Sequence, residues 1–393
     1  MQAIDSRNDI VIILLVDTDV IPKGQEVAYL KNCWYAAMWS EGLASGQLVP
    51  VTLLDEPLVF FRDADGRPVA MDDMCPHRLA PLRLGKLLPD GRIQCGYHGL
   101  EFDAAGECVR NPHGNGRIPK GCRVRTYPLV EKHTLVWIWM GEAAPNAALI
   151  PDFSYLDADS GYDVGRRDTI TMDTHYRFIV DNLMDLSHAS FLHDGLLGNA
   201  DTIKADIQVR QEGPYVYVRR DMYNVPPPLV RDLLFRRDGA LVDMWQDIRW
   251  SAPAAVLNDV GTYAPGADRK DFAGQLGCHI LTPATADTTL YHTAAARQGI
   301  TMPAPAEGEE EFKARLAEIR RFAFKEQDDP MLKAQQANAR LHPGVKPILL
   351  EIDAGPVRCQ RMLDALIAAE AGTSPPVVAI HDASMMNKTR SPA

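Results

Sequence analysis

Two short loops constrain this chain more than anything else in its sequence. They read Cys75-Pro76-His77 and Cys95-Gly96-Tyr97-His98, with seventeen residues between His77 and Cys95. Each offers one thiolate and one imidazole. Pro76, Gly96 and Gly99 permit tight turns, which would bring backbone N–H groups near the sulfurs. The flanking sequence supplies short strands to hold such turns. "PLVFFRDADGRPVAM" (57–71) reads as two strands about an Asp-Gly turn, "GLEFDAAGECV" (99–109) as another hairpin, and "HTLVWIWMG" (133–141) as a buried strand. Residues 28–142 are therefore expected to form a small all-β domain.

Two thiolates and two imidazoles are the ligand set of a Rieske [2Fe-2S] centre, with the Cys pair on one iron and the His pair on the other. The same four residues could also make a structural zinc site. Zinc fingers usually place Cys with Cys and His with His, whereas the order here is Cys-His, Cys-His within a β domain. That order favours the cluster and leaves zinc as the alternative. The seven cysteines are odd in number and irregular in spacing, which argues against a secreted disulfide framework.

The rest of the 393 residues divide by composition. Residues 1–27 read as an extension carrying an added strand. Their apolar run "IVIILLV" is too short to span a membrane and lacks the flanks of a signal peptide. "EAAPNAALIPDF" (142–153) has the Pro and Ala content of a linker. A second domain is expected over 143–372. In it "YVYVRRDMYNV" (215–225) and "VDMWQDIRWSA" (242–252) alternate like strands, while 178–193 and 308–338 read as helices. Residues 373–393 read as a loosely held tail. No stretch suggests a transmembrane helix, so the chain is expected to be cytoplasmic. Its net charge of -11 argues against a nucleic-acid partner.

The stretch "DNLMDLSHASFLH" (181–193) gathers Asp185, His188 and His193. On a helix Asp185 and His188, three apart, share a face. His193 lies about 140° further round and reaches the same point only if the helix is distorted, for instance by a π-type bulge, or ends there. Two imidazoles with one carboxylate from elsewhere would make a facial triad for Fe(II) with open positions. Two ordinary histidines near a helix end are the plainer reading. A cluster in the same chain implies an electron sink, which shifts the balance to iron. Asp328 and Asp329 in "KEQDDPMLKAQQ" are the acidic candidates for the third ligand, and spacing does not choose between them or exclude a solvated charged face.

Together these residues resemble the Rieske non-haem iron oxygenases. "CPHRLAPL", "QCGYHGLEFD", "NPHGNGRIP", "VDNLMDLSHASFLH", "DIRW" and "HILTP" are similar, more narrowly, to the vanillate/dicamba O-demethylase oxygenase-component group, over residues 29 to 360. The resemblance implies an α+β protein: a Rieske [2Fe-2S] β domain followed by a helix-grip catalytic domain, a curved antiparallel sheet wrapped by helices. It implies Cys75, His77, Cys95 and His98 as cluster ligands. It implies His188, His193 and Asp328 as ligands of a mononuclear Fe(II), with Leu332 the apolar position four residues on and Asp329 still possible. It further implies a head-to-tail homotrimer in which Asp185 bridges to His98 of the partner subunit, and an Asn182 near the iron. Gln246 stands where one member of the group carries a substrate-holding Asn, a departure that argues against recognition of the same aromatic carboxylate. His279 matches a family histidine expected to face the pocket. Trp245, and secondarily Trp250, are further candidates for substrate contact, with core packing as the plainer role.

The expected function is that of the terminal oxygenase of a multicomponent monooxygenase in aromatic or xenobiotic breakdown. It would use O2 and NADH-derived electrons to remove an O- or N-alkyl group from a small aromatic substrate as an aldehyde. Ring or methyl hydroxylation is the alternative within the class. A Rieske electron carrier is the alternative outside it, disfavoured by the long second domain. No dinucleotide-binding fingerprint is present, so NADH oxidation falls to a separate reductase. Residues 75–125 hold nine Lys/Arg against four acids, a local balance of +5 that would steer an acidic ferredoxin or reductase to the cluster. Internal pairing of those arginines is the plainer alternative.

Overall fold

The structure is a computed structural model and describes residues 28–300 and 305–373. The expected extension at 1–27, with its added strand, and the tail from 374 onward lie outside the described residues.

Residues 34–139 form short strands: β1 (Trp34–Trp39), β2 (Val49–Leu53), β3 (Glu56–Arg62), β4 (Pro68–Asp72), β5 (Lys86–Leu87), β6 (Ile93–Gln94), β7 (Glu101–Phe102), β8 (Cys108–Arg110), β9 (Thr126–Tyr127), β10 (Leu129–Lys132) and β11 (Leu135–Trp139). They pair as three sheets, β2-β3-β4-β9, β1-β11-β10 and β5-β6-β7-β8. The two hairpins and the buried strand read from the sequence are all present. The Cys75 loop follows β4, and the Cys95 loop joins β6 to β7. The expected linker is instead packed. Ile150 and Phe153 are buried, and two indole N–H groups find their acceptors there, Trp34 on the carbonyl of Asn146 (2.8 Å) and Trp139 on that of Ala143 (2.9 Å).

The second half is built on an eight-stranded antiparallel sheet. Its strands are β12 (Asp163–Val164), β13 (Asp168–Met172), β14 (Asp206–Glu212), β15 (Tyr215–Val225), β16 (Val242–Ser251), β17 (Ala255–Tyr263), β18 (Ala273–Thr285) and β19 (Thr288–Gly299). They run in the order β12-β19-β18-β17-β16-β15-β14, with β13 also on β19. Because strand residues alternate between faces, each strand serves two layers. On one face Cys278 and Ile280 of β18 pack with Trp34 and Trp137 of the first half. On the other, Val218, Ile248, Trp250 and Leu281 pack with residues of α1 (Tyr176–Met184), α4 (Asp329–Leu341) and α5 (Ala354–Glu370), among them Met184, Leu332 and Leu363. The sheet is thus covered on both sides. Two further helices are α2 (Leu229–Leu234) and α3 (Glu309–Arg321).

Both predicted helices are interrupted. The one expected over 178–193 ends at Met184. Asp185 is extended (φ -122°, ψ 98°), and a 3-10 turn covers Leu186–Ser190. The Asp185 carboxylate accepts the Ser187 N–H (2.9 Å) and so caps that turn, an alternative to continuing the helix. The helix expected over 308–338 contains a π segment, Phe322–Asp328, between α3 and α4. Of the two devices the spacing allowed, the histidine helix uses the second and ends, while a π bulge occurs in the helix that carries the acid.

Trp250 is fully buried in the helix-covered face. We expect Trp250→Ala to destabilise the protein by about 3–5 kcal/mol, read as a lowered denaturant midpoint, with the ratio of affinities for different aromatic ligands unchanged.

Candidate functional site

The two Cys/His loops have the same backbone plan. Cys75 N–H donates to Ala80 O (2.9 Å) and Cys75 O accepts from Leu79 N–H (2.9 Å); Cys95 N–H donates to Leu100 O (2.8 Å) and Cys95 O accepts from Gly99 N–H (2.9 Å). Leu79 and Gly99 occupy equivalent left-handed positions, φ 57° and 72°. Both thiols are buried. Their imidazole partners, the exposed His77 and the half-buried His98, meet edge to face with centroids 4.5 Å apart. A pair of inner sulfurs and a pair of outer nitrogens is the donor arrangement a Rieske cluster requires.

The second set converges from two elements. Potential ligand atoms of His188, His193 and Asp328 all lie within 4.8 Å of one another. Asp328 Oδ1 is 3.1 Å from His193 Nε2 and 3.7 Å from His188 Nε2. Each ring is fixed from behind. His188 Nδ1 is 2.7 Å from the backbone carbonyl of Asp185, and His193 Nδ1 is 2.8 Å from Gln327 Oε1, so each Nδ1 is the donor and each Nε2 is left as a lone pair facing the carboxylate. Burial opposes protonation of both rings. It prevails at His188, whose pKa falls below the usual imidazole range; at His193 the Asp328 carboxylate outweighs it and raises the pKa. Two imidazoles held with Nε2 inward and one carboxylate, with a cavity beside them, fit a mononuclear iron with open positions.

The remaining predicted residues fall as follows. Asp329 turns away from the histidines to accept the Asp173 N–H (2.9 Å) and to pair with Lys325. Asn182 Nδ2 sits 3.2 Å from Asp328 Oδ1 and 3.3 Å from His188 Nε2. Asp185 meets His188 through its main chain, while its partly exposed carboxylate lies 4.0 Å from Arg220, a buried guanidinium also bonded to Ser187 Oγ (2.9 Å).

A cavity of about 140 Å³ opens beside this set. Its floor follows from strand register. Gln246, Val260, Gln275 and Arg297 form one cross-strand row, and Ile248, Asn258, Gly277 and Ala295 the next. At Gly277 a Cβ would come within 2.8 Å of His279 Nε2, so glycine there leaves room for the imidazole. His279 is buried against Tyr291, whose hydroxyl lies 2.6 Å from Nδ1, and burial lowers the ring's pKa to about 3. Gln246 and His279 thus line the cavity. Trp245 does not. One residue out of phase with Gln246, it points to the opposite face, where Gly261 makes space for its indole and Arg269 covers it. Trp250 is core. Gln327, Tyr291 and Arg220 were not singled out from sequence; Gln327, next to Asp328, had the nearest signal.

Residues 33–128 match the family model of the Rieske [2Fe-2S] domain, and 172–369 that of the vanillate O-demethylase oxygenase C-terminal domain. The fold and these two metal-type sites together define the class of Rieske oxygenases. The chain belongs, within that class, to the family of vanillate and dicamba O-demethylase oxygenase components, with a Rieske cluster and a mononuclear non-haem iron as its cofactors. It is 35% identical to the oxygenase component of dicamba O-demethylase from Stenotrophomonas maltophilia, over 88% of this chain and 100% of that one. It is also 35% identical to the oxygenase component of chloroacetanilide N-alkylformylase from Rhizorhabdus wittichii, over 90% and 99%. The crystal structure of dicamba monooxygenase bound to 3,6-dichlorosalicylic acid superimposes with a TM-score of 0.81 at 32% identity, covering 88% of this chain and 99% of that one. No helix among the described residues is long and apolar enough to cross a membrane.

Removing the partner behind a metal-binding imidazole typically weakens the metal by about 10–100-fold. We expect Gln327→Leu to lower mononuclear iron retention by that order, measured by dialysis against a graded chelator, with the [2Fe-2S] absorption unchanged.

Proposed function

We propose that this chain is the terminal oxygenase of a multicomponent monooxygenase that removes an O- or N-alkyl group from a one-ring aromatic compound. The observation that carries the reading is the convergence of His188, His193 and Asp328, their rings tied back through Nδ1, on a cavity the size of a single ring. An engineered apolar cavity of roughly 150 Å³ accepts benzene. In this reading Cys75, His77, Cys95 and His98 hold the cluster and the other three residues hold iron. When bound, these groups supply the electrons and the oxygen activation for hydroxylating a C–H bond.

The chain's own residues then bind, orient and exclude water. Gln246 and His279 give the floor polar handles, and His279, neutral through burial, offers a hydrogen bond without a charge. The overall change takes one O2, two electrons and two protons, and gives a hydroxylated alkyl carbon and water. The resulting hemiacetal or hemiaminal breaks its carbon–heteroatom bond: the proton passes to the heteroatom, and the carbon leaves as an aldehyde.

Electrons come from NADH through a separate reductase, with or without a ferredoxin, in the cytoplasm. Docking near the cluster is supported by Arg78, Lys86, Arg117 and Lys120, which are exposed and make no ion pair among the described residues. Arg83, Arg92 and Arg110 are by contrast tied to Asp73 or Glu101. The assembly in this reading is a head-to-tail homotrimer in which Asp185 joins His188 to His98 of the partner subunit. Asp185 is there a positioning residue, and the partial exposure of its carboxylate leaves it open to such a contact.

The test is a single turnover. Anaerobically reduced holoenzyme is exposed to O2 with aryl methyl ethers, N-alkyl anilides and unsubstituted aromatic acids, and the products are read by mass. Loss of an alkyl carbon with a matching aldehyde supports the proposal; a gain of oxygen with every carbon kept moves the chain to the hydroxylases. Two variants accompany it. His188→Ala is expected to keep the red-brown cluster and drop from three irons per chain to two, and unchanged stoichiometry would remove it from the ligand set. Asp185→Asn is expected to retain all three irons and lose nearly all steady-state turnover, whereas wild-type rates would rule out the bridge.

A further inference from the structure

Arg231 is a buried charged group of the cavity wall, and neither the iron site nor the floor's polar handles account for it. It lies on α2, which is fastened to the His193 turn: Leu229 N–H donates to Gly195 O (3.0 Å) and Val230 N–H to Leu196 O (3.2 Å). Its side chain lines the cavity and the residue is only 8% exposed. Among the described residues it makes no hydrogen bond and no ion pair, and its Nη1 is buried without a partner. Burial lowers its pKa to about 10, so it is still a cation at neutral pH. A buried charge with no counter-ion is strongly unfavourable, and a protein keeps one chiefly where something else supplies the opposite charge.

The surroundings do not supply it. Asp259 favours the charged form electrostatically but makes no ion pair with Arg231, and its carboxylate already accepts from Gln298. Arg297 pairs with Asp163 and Glu309, Lys313 with Asp163 and Glu310, and Arg320 donates to the Arg166 carbonyl (2.7 Å), so the nearby acids are already engaged and none reaches Arg231. Asn258, in the floor, has its carbonyl oxygen buried and unpaired as well. That oxygen is an acceptor and calls for a donor on the ligand, whereas the planar fork of N–H donors of Arg231 is suited to a carboxylate.

We propose that Arg231 is the anion anchor of the substrate site, and that the substrate is a one-ring aromatic acid whose carboxylate pairs with this guanidinium. The inference rests on the oxygenase reading of the cavity but not on which bond is broken. Arg231 is then a specificity-determining residue. It discriminates acids from their neutral esters and amides, and it fixes which edge of the ring faces His188, His193 and Asp328.

The experiment is a binding measurement on the holoenzyme, by calorimetry under anaerobic conditions and without a reductase. The probes are the three methoxybenzoate isomers, with their methyl esters and amides. We expect at least one acid to bind tenfold or more tightly than its ester and amide. Arg231→Met should abolish that preference with cluster and mononuclear iron unchanged, and Arg231→Lys should retain part of it. Equal binding of acid and ester by the wild type, no binding by any isomer, or a preference that survives in both variants would overturn the proposal. Should Arg231→Met fail to fold, the wild-type ratios and the lysine variant decide. Formaldehyde is assayed separately in single turnovers. Acid preference that depends on Arg231 but yields no formaldehyde leaves the anchor standing and overturns dealkylation. Formaldehyde from acid and ester bound equally well does the reverse.

Discussion

The hydrogen bonds behind the two imidazoles are what the rest of the site depends on. His188 Nδ1 is held by the Asp185 carbonyl and His193 Nδ1 by Gln327 Oε1, and only because both are held do the two Nε2 lone pairs face Asp328. Each support comes from a place where a regular helix fails. The Asp185 carbonyl is available because α1 stops and the chain becomes extended there. Gln327 and Asp328 both face the histidines because they end a π segment. The departures from regular secondary structure are therefore concentrated where the chemistry is, as local strain and irregularity often are.

Around that centre the fold divides its labour by strand alternation. Odd and even residues of β18 show it most plainly: Gly277 and His279 face the cavity, Cys278 and Ile280 face the Rieske half. One strand thus carries the floor of the cavity on one side and the interface with the β1-β11-β10 sheet of the Rieske half on the other. A sheet covered on both faces has apolar residues in both phases. It gains rigidity by this, and a cavity in its floor keeps its shape.

How much of this could be read in advance follows from the range of each interaction. The Cys/His loops were legible because their spacing is local and their donor set is unusual. His188 and His193 were legible as a pair and an end to their helix was one of two devices the spacing allowed, but its place at Asp185 was not, since it depends on a side-chain cap competing with an otherwise adequate helical sequence. Asp328 and Asp329 are neighbours with the same chemistry; only the π segment separates them, sending one to the histidines and the other to Lys325. The strand through Trp245 and Gln246 was legible, and its phase was not, because both faces are covered and hydrophobicity gives no sign of which is which. Arg231 could not have been chosen from sequence. What distinguishes it is the lack of a partner in three dimensions, and an unpaired arginine looks like any other in a string of letters.

The π segment also bears on how this protein can change over time. Surface loops accept insertions and deletions at little cost. The stretch from Phe322 to Leu332 does not have that freedom. Removing one residue from the wide turn would return it to an ordinary helix and rotate everything beyond it by about 100°, so that Asp328 would leave the histidines and Leu332 would leave the core together. Substitutions can be tried there one side chain at a time, but a change of length is penalised twice, once in the site and once in the packing. Length in this segment is thus inherited as a single unit, and diversity in substrate choice has to come from the walls of the cavity.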